Sequence, residues 1–131
     1  MTSMHSARRR LNRDLEDGAE QHVWVNQFPA AITVCDAAGV IIELNDRAAE
    51  NFKADGGSQL IGRNVMDCHP EAAGRRLQTL LENQQANVYT TEKGGKKQLI
   101  YQSPWYRHGE YGGLIEIVLD LPEDMPHFKR D

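Results

Sequence analysis

Hydrophobic residues along this chain change their spacing several times, and each change marks an element. Leu11, Leu15, Ala19 and Val23 recur at four-residue steps, which predicts a helix from about Ala7 to Gln27 with one narrow apolar stripe. Gly18 interrupts it. A stripe that narrow suits docking, either against this chain's own sheet or against a second copy. Pro29 ends the segment, because the residue before a proline disfavours helix. Ile32–Asp36 and Val40–Leu44 then read as a strand hairpin around Ala37-Ala38-Gly39. Asn45 is placed as a helix N-cap, with Asp46 favouring the exposed amides of the first turn. The short helix Arg47–Phe52 turns Ala48, Ala49 and Phe52 inward, and 54–58 reads as a loop.

Pro70 fits the first position of a longer helix, where its missing N–H costs nothing. Ala73, Leu77, Leu80 and Leu81 share one face of it, and it fades between Gln84 and Asn87. Three strands follow: Val88–Glu92, Gln98–Tyr106 and Gly113–Asp120. The turns between them are expected at Lys93–Lys96 and His108–Gly112, with a bulge or strand end at Pro104. In the last strand Ile115, Ile117 and Leu119 alternate with Glu116 and Asp120, as in a half-buried antiparallel strand. Pro122 and Pro126 mark an irregular tail. No internal repeat is present.

A chain of 131 residues with 40% hydrophobic and 26% charged residues has the size and balance of one soluble domain with its own core. A net charge of −4 argues against nucleic acid as a partner. Arg8, Arg9, Arg10 and Arg13 form a local basic patch, most simply a solvated helix start. The apolar runs are short of the roughly 20 residues that span a bilayer, and no apolar block follows the arginines as in a signal peptide. The expected location is therefore cytoplasmic, with no membrane contact. In that compartment Cys35 and Cys68 are expected as free thiols.

Two strands, short helices, one long helix and three strands is also the chain order of a PAS domain, which this chain resembles from about Phe28 to Asp120. The resemblance extends to single residues. Gly62, Val65, Cys68, His69 and Pro70 match a Gly-x-x-Val-x-x-Cys-His-Pro segment found in PAS domains attached to bacterial hemerythrin-like proteins. Gly109, Glu110, Tyr111, Gly113 and Glu116 match a Gly-Glu-Tyr-x-Gly turn and the Glu-bearing strand after it. The resemblance implies an α+β PAS fold: a five-stranded antiparallel sheet with helices on one face, preceded by an N-terminal helix. Residues 1–27 would form a tail and dimerisation helix, 28–121 the PAS domain and 122–131 an irregular tail.

Two departures from the family pattern carry meaning. Many PAS domains run from Asp-Ile-Thr into a coiled-coil output helix, whereas Asp120 is followed here by Leu121-Pro122, which stops a helix. A stand-alone module, or a fragment signalling through its N-terminal helix, is the expectation. Flavin photoreceptors of the family carry Gly-Arg-Asn-Cys and form a cysteine adduct. The valine of Gly62-Arg63-Asn64-Val65 cannot form that bond, so blue-light chemistry of that kind is not expected.

The candidate chemistry centres on His69. As haem-binding relatives use a helix histidine, it could serve as an axial ligand. At the start of a helix, however, an imidazole can simply cap free amides, and this reading is preferred. A metal held by His69 and Cys68 would need two more ligands, and no spacing supplies them. Cys68 lacks the ordered base that a nucleophile requires, although a helix N-terminus lowers a thiol pKa and would suit redox sensing. No catalytic motif is present, so an enzyme is not expected. The resemblance implies a small-molecule or partner-binding sensory module, with a pocket between the sheet and residues 47–84. Ile32, Val34, Phe52, Val65, Leu77, Tyr101 and Ile117 are expected to line it, with His69 at the rim. The alternative is a ligand-free homodimerisation module with a packed interior.

Overall fold

The computed structural model describes residues 23–68 and 71–131. Most of the expected N-terminal helix, together with His69 and Pro70, lies outside the described residues. Helix α1 (Val23–Gln27) leads through Phe28-Pro29-Ala30 into strand β1 (Ala31–Asp36), followed by β2 (Ile41–Leu44) and α2 (Asp46–Asn51). Three 3₁₀ turns follow, at Lys53–Asp55, Gly57–Leu60 and Val65–Cys68. After them come the long helix α3 (Glu71–Asn83) and strands β3 (Asn87–Lys93), β4 (Lys96–Arg107) and β5 (Glu110–Leu121). The five strands form one antiparallel sheet in the order β2-β1-β5-β4-β3. This is the expected fold class.

Asn45 ties the first half together. Its Oδ1 accepts from Ala48 N at 3.0 Å, capping α2, and from Ile32 N at 2.9 Å. Its Nδ2 donates to Ala30 O at 2.7 Å and to Val25 O at 3.0 Å. One buried amide thus fixes a helix start, a strand start and α1.

The turns differ from expectation in length. Residues 54–58 are not an open loop but parts of two 3₁₀ turns, hinged where Gly56 and Gly57 adopt φ of 120° and 57°. The β4–β5 connection is two residues, not five: Arg107 pairs with Glu110, with His108 at φ 52° and Gly109 at φ 79° between them. Left-handed backbone at both central residues matches the twist of the flanking strands, and histidine tolerates that region better than most residues. The bulge expected at Pro104 falls one position later, between Trp105 and Tyr106. Since β3 reaches only as far as Gln102, Pro104 has just one neighbouring strand, which eases its missing N–H.

Helices and 3₁₀ turns cover one face of the sheet. Cys35, Ile41, Leu60, Val65, Leu77, Leu81 and Leu114 form the core there, with Leu44, Phe52 and Met66 packed against it. In an antiparallel sheet residues directly opposite each other share a face. Cys35 opposes Leu114, and Thr33 opposes Glu116, so these four belong to the covered face. Ile32 opposes Ile117, which opposes Tyr101, and Val34 opposes Ile115. Those residues belong to the other face, where Tyr101 is exposed and the rest are half-buried.

Candidate ligand-binding site

Four polar residues cross the covered face in a single row. Thr33 on β1, Glu116 on β5, Gln102 on β4 and Asn87 on β3 are successive cross-strand partners. Asn87 Nδ2 donates to Gln102 Oε1 at 3.0 Å, and Gln102 Nε2 donates to Glu116 Oε2 at 2.7 Å. Gln102 is buried and the other three are half-buried. An ionised carboxylate can only accept, so Glu116 fixes which end of Gln102 faces it, and Gln102 in turn fixes Asn87.

Two spaces adjoin this row. The first lies within the core, lined by Cys35, Ile41, Phe52, Leu60, Val65, Leu77 and Leu114, with Thr33 and Glu116 at its polar edge. Its volume of about 30 Å³ is enough for water and far below that of a small-molecule site. The second is a groove of about 410 Å³ between α3 and the sheet. Ala73, Leu77, Leu80 and Arg76 come from the helix; Asn87, Tyr89, Gln102 and Glu116 form the floor. Leu77 and Glu116 line both spaces. The groove falls within the usual range for small-molecule sites, roughly 300–1,000 Å³, and mixes apolar walls with a few convergent polar groups.

Burial pushes the Tyr89 phenol above its ordinary value, Glu116 adds to that push, and Arg76 opposes it. Tyr89 is therefore a neutral hydroxyl at physiological pH, able to donate or accept. Burial likewise raises the Cys35 thiol, despite an opposing backbone hydrogen bond from Leu114. Cys35 is a packing residue whose carbonyl accepts from Trp105 Nε1 at 3.0 Å.

The expected lining set divides between the two faces. Phe52, Val65 and Leu77 line the core cavity. Ile32, Val34, Tyr101 and Ile117 do not face that space; they sit on the opposite side of the sheet. The reason is parity. A strand's side chains alternate, so reading the wrong set as inward moves all of them across the sheet. His69 lies outside the described residues. Thr33, Asn87, Tyr89, Gln102, Arg76 and Ala73 were not among the expected lining residues. A polar residue recurring in the middle of each of three strands was the signal available for Thr33, Gln102 and Glu116.

Among the described residues no group of three or more His, Cys, Asp and Glu side chains is placed to hold a metal. No described helix is long and apolar enough to cross a membrane.

A family model described as the PAS fold matches residues 25–124. No curated protein matches the chain. Among solved structures, a C-terminal domain from Streptococcus mutans is 23% identical, covering 79% of this chain and 84% of that one, with a TM-score of 0.63. The PAS domain of BvgS from Bordetella pertussis is 19% identical, with 82% and 88% covered and a TM-score of 0.60. A receptor from Vibrio cholerae described as a dual PAS-heme oxygen sensor is 15% identical, with 71% and 95% covered and a TM-score of 0.57. These likenesses are of fold.

Proposed function

The chain belongs to the PAS family, and from that premise we propose that it is a cytoplasmic sensory module that binds a small molecule in the groove between α3 and the sheet. The observation that carries this reading is the polar row Thr33–Glu116–Gln102–Asn87, placed under a helix where a purely structural sheet would be apolar. A buried polar network specifies position at a cost in desolvation, and it is worth that cost where it meets a ligand. Sensing is the reading we favour because PAS domains are sensory modules. The Cys68-His69-Pro70 segment supports a place near the hemerythrin-associated branch of the family.

Haem through His69 is less well supported. The core cavity of about 30 Å³ is far smaller than a macrocycle needs, so haem there would have to displace the helices. The V. cholerae receptor is described as a PAS-heme oxygen sensor; a haem titration followed at the Soret band tests that ligand here, and a saturable one-to-one band would favour it.

The second reading, a homodimerisation module, draws on the other face of the sheet. Ile32, Ile117, Tyr101 and Val88 form a continuous cross-strand row there, and Val88 and Tyr101 are 49% and 45% exposed. That face, and the stripe expected from the four-residue spacing of Leu11, Leu15, Ala19 and Val23, are suited to joining two copies. An absorption spectrum and a native mass of the purified full chain test both readings. A coloured or mass-shifted protein supports ligand sensing; a colourless dimer of bare mass supports the interaction module.

A further inference from the structure

Glu116 is a carboxylate on the covered face of the sheet, at the edge of the groove. It is half-buried, and its one hydrogen bond among the described residues is accepted by Oε2 from Gln102. The ion pairs among the described residues, Arg47 with Asp120 and Arg75 with Glu71, are both exposed and leave Glu116 without a cationic partner. At half burial the carboxylate keeps part of its hydration, so an added cation gains attraction there at a modest desolvation cost. The row also has a direction: Asn87 donates to Gln102, and Gln102 donates to Glu116, so the donors converge on a group that has none to give. The second carboxylate oxygen, Oε1, accepts nothing from the described residues, and Glu116 lines the groove.

We infer that Glu116 is the recognition point for a small organic cation, an ammonium or amidinium group on an apolar body, seated in the groove between α3 and the sheet. This rests on the groove being a ligand site and adds the chemical class of the ligand. The cation meets Oε1 and forms an ion pair there, while Ala73, Leu77 and Leu80 cover the apolar body. Tyr89, neutral and on the same floor, offers a hydroxyl oxygen to a second N–H. Arg76, at the helix side of the same groove, repels every added positive charge and so works against the Glu116 attraction, which favours a monocation over a dication.

The test uses three probes that share a phenylethyl body: phenethylammonium, phenethyl alcohol and 3-phenylpropionate. Each is titrated into the full-length protein and followed by amide chemical shifts. Phenethylammonium should bind at least about tenfold more tightly than the alcohol, the scale of one charge-assisted hydrogen bond, and phenylpropionate most weakly. In Glu116→Gln, which keeps an acceptor for Gln102, the preference for the cation over the alcohol should vanish. An amide spectrum with wild-type dispersion outside the groove shows that this variant keeps the fold. Ala73→Leu, which fills the groove without touching the carboxylate, should weaken all three probes. A cation preference that survives Glu116→Gln, or binding unaffected by Ala73→Leu, overturns the inference. Equal binding of alcohol and cation to the wild type overturns the cation class but leaves the groove as a ligand site. Failure of every probe to bind removes the groove reading as well.

Discussion

Asn45 is where a single side chain does the most to hold this fold together, and its removal can be worked through atom by atom. In Asn45→Ala the α2 cap to Ala48 N is lost, worth about 1 kcal/mol. Ile32 N and Ala30 O lose their amide partners at sites water reaches poorly, at roughly 1–3 kcal/mol for each group left unpaired. The bond to Val25 O, which anchors α1, is lost too. Allowing for partial relaxation, the expected destabilisation is roughly 3–5 kcal/mol, a large part of the ~5–15 kcal/mol typical of a domain.

Asn45→Asp separates the two halves of the network. It keeps an oxygen for Ala48 N and Ile32 N but turns a second oxygen toward the carbonyls of Ala30 and Val25. The folded state then favours the protonated carboxyl, which can donate, so the folded pKa lies above the unfolded value of about 3.9. Between those two pKa values the folded state binds more protons than the unfolded one, and stability falls as pH rises. Urea denaturation followed by circular dichroism at several pH values measures both variants. Asn45→Asp should approach wild type at low pH and lose ground toward neutrality, relative to the wild-type profile. An Asn45→Ala variant within about 1 kcal/mol of wild type would refute the account, since that is the cap alone. So would an aspartate variant with no added pH dependence.

Four further outcomes follow from particular contacts. Gly113→Ala should destabilise by roughly 2–4 kcal/mol in the same denaturation assay, because Gly113 sits at φ 142° and an added Cβ would overlap the Cys35 carbonyl; a neutral result would show that this strand pair yields easily. Leu77→Ala, at a position 7% exposed in the core, should cost roughly 2–4 kcal/mol and enlarge the adjoining cavity; a cost under 1 kcal/mol would place Leu77 outside the core. In a Cys68→Ser background, Cys35 should react with a disulfide reagent only after denaturant is added, because burial both shields the thiol and keeps it protonated; immediate reaction of the folded protein would contradict its 3% exposure. Blue light should leave the absorption spectrum unchanged, since Val65 stands where an adduct-forming cysteine would be; a reversible bleach of a flavin band would refute this.

The strand and helix order was legible in the sequence because turn residues and hydrophobic period change together at nearly every boundary. Asn45 was legible as a cap because it directly precedes a helical run. Its bonds to Ile32, Ala30 and Val25 were not, since they join positions 13, 15 and 20 residues away. The 3₁₀ turns over 53–60 were hidden by glycines, which signal a special backbone angle without saying which element uses it.

The inward face of the sheet was misread for a more instructive reason. β5 carries apolar residues at both parities, Leu114 and Val118 on one side and Ile115, Ile117 and Leu119 on the other, so hydrophobicity alone does not choose between them. Glu116 then tips a reader toward the wrong choice, because a charge in a strand ordinarily marks the solvent side. Here the charge points under the helix, and the side it leaves behind is the one with the longer apolar row. The two departures have a common meaning if each face is a binding surface. On the proposed reading, the carboxylate on the covered face meets a ligand and the apolar row on the open face meets another chain. A ligand drawn against Glu116 and a partner seated on Ile117 would then touch adjacent residues of one strand. The sheet itself, through β5, is the shortest physical route by which occupancy of the groove could alter assembly on the far side.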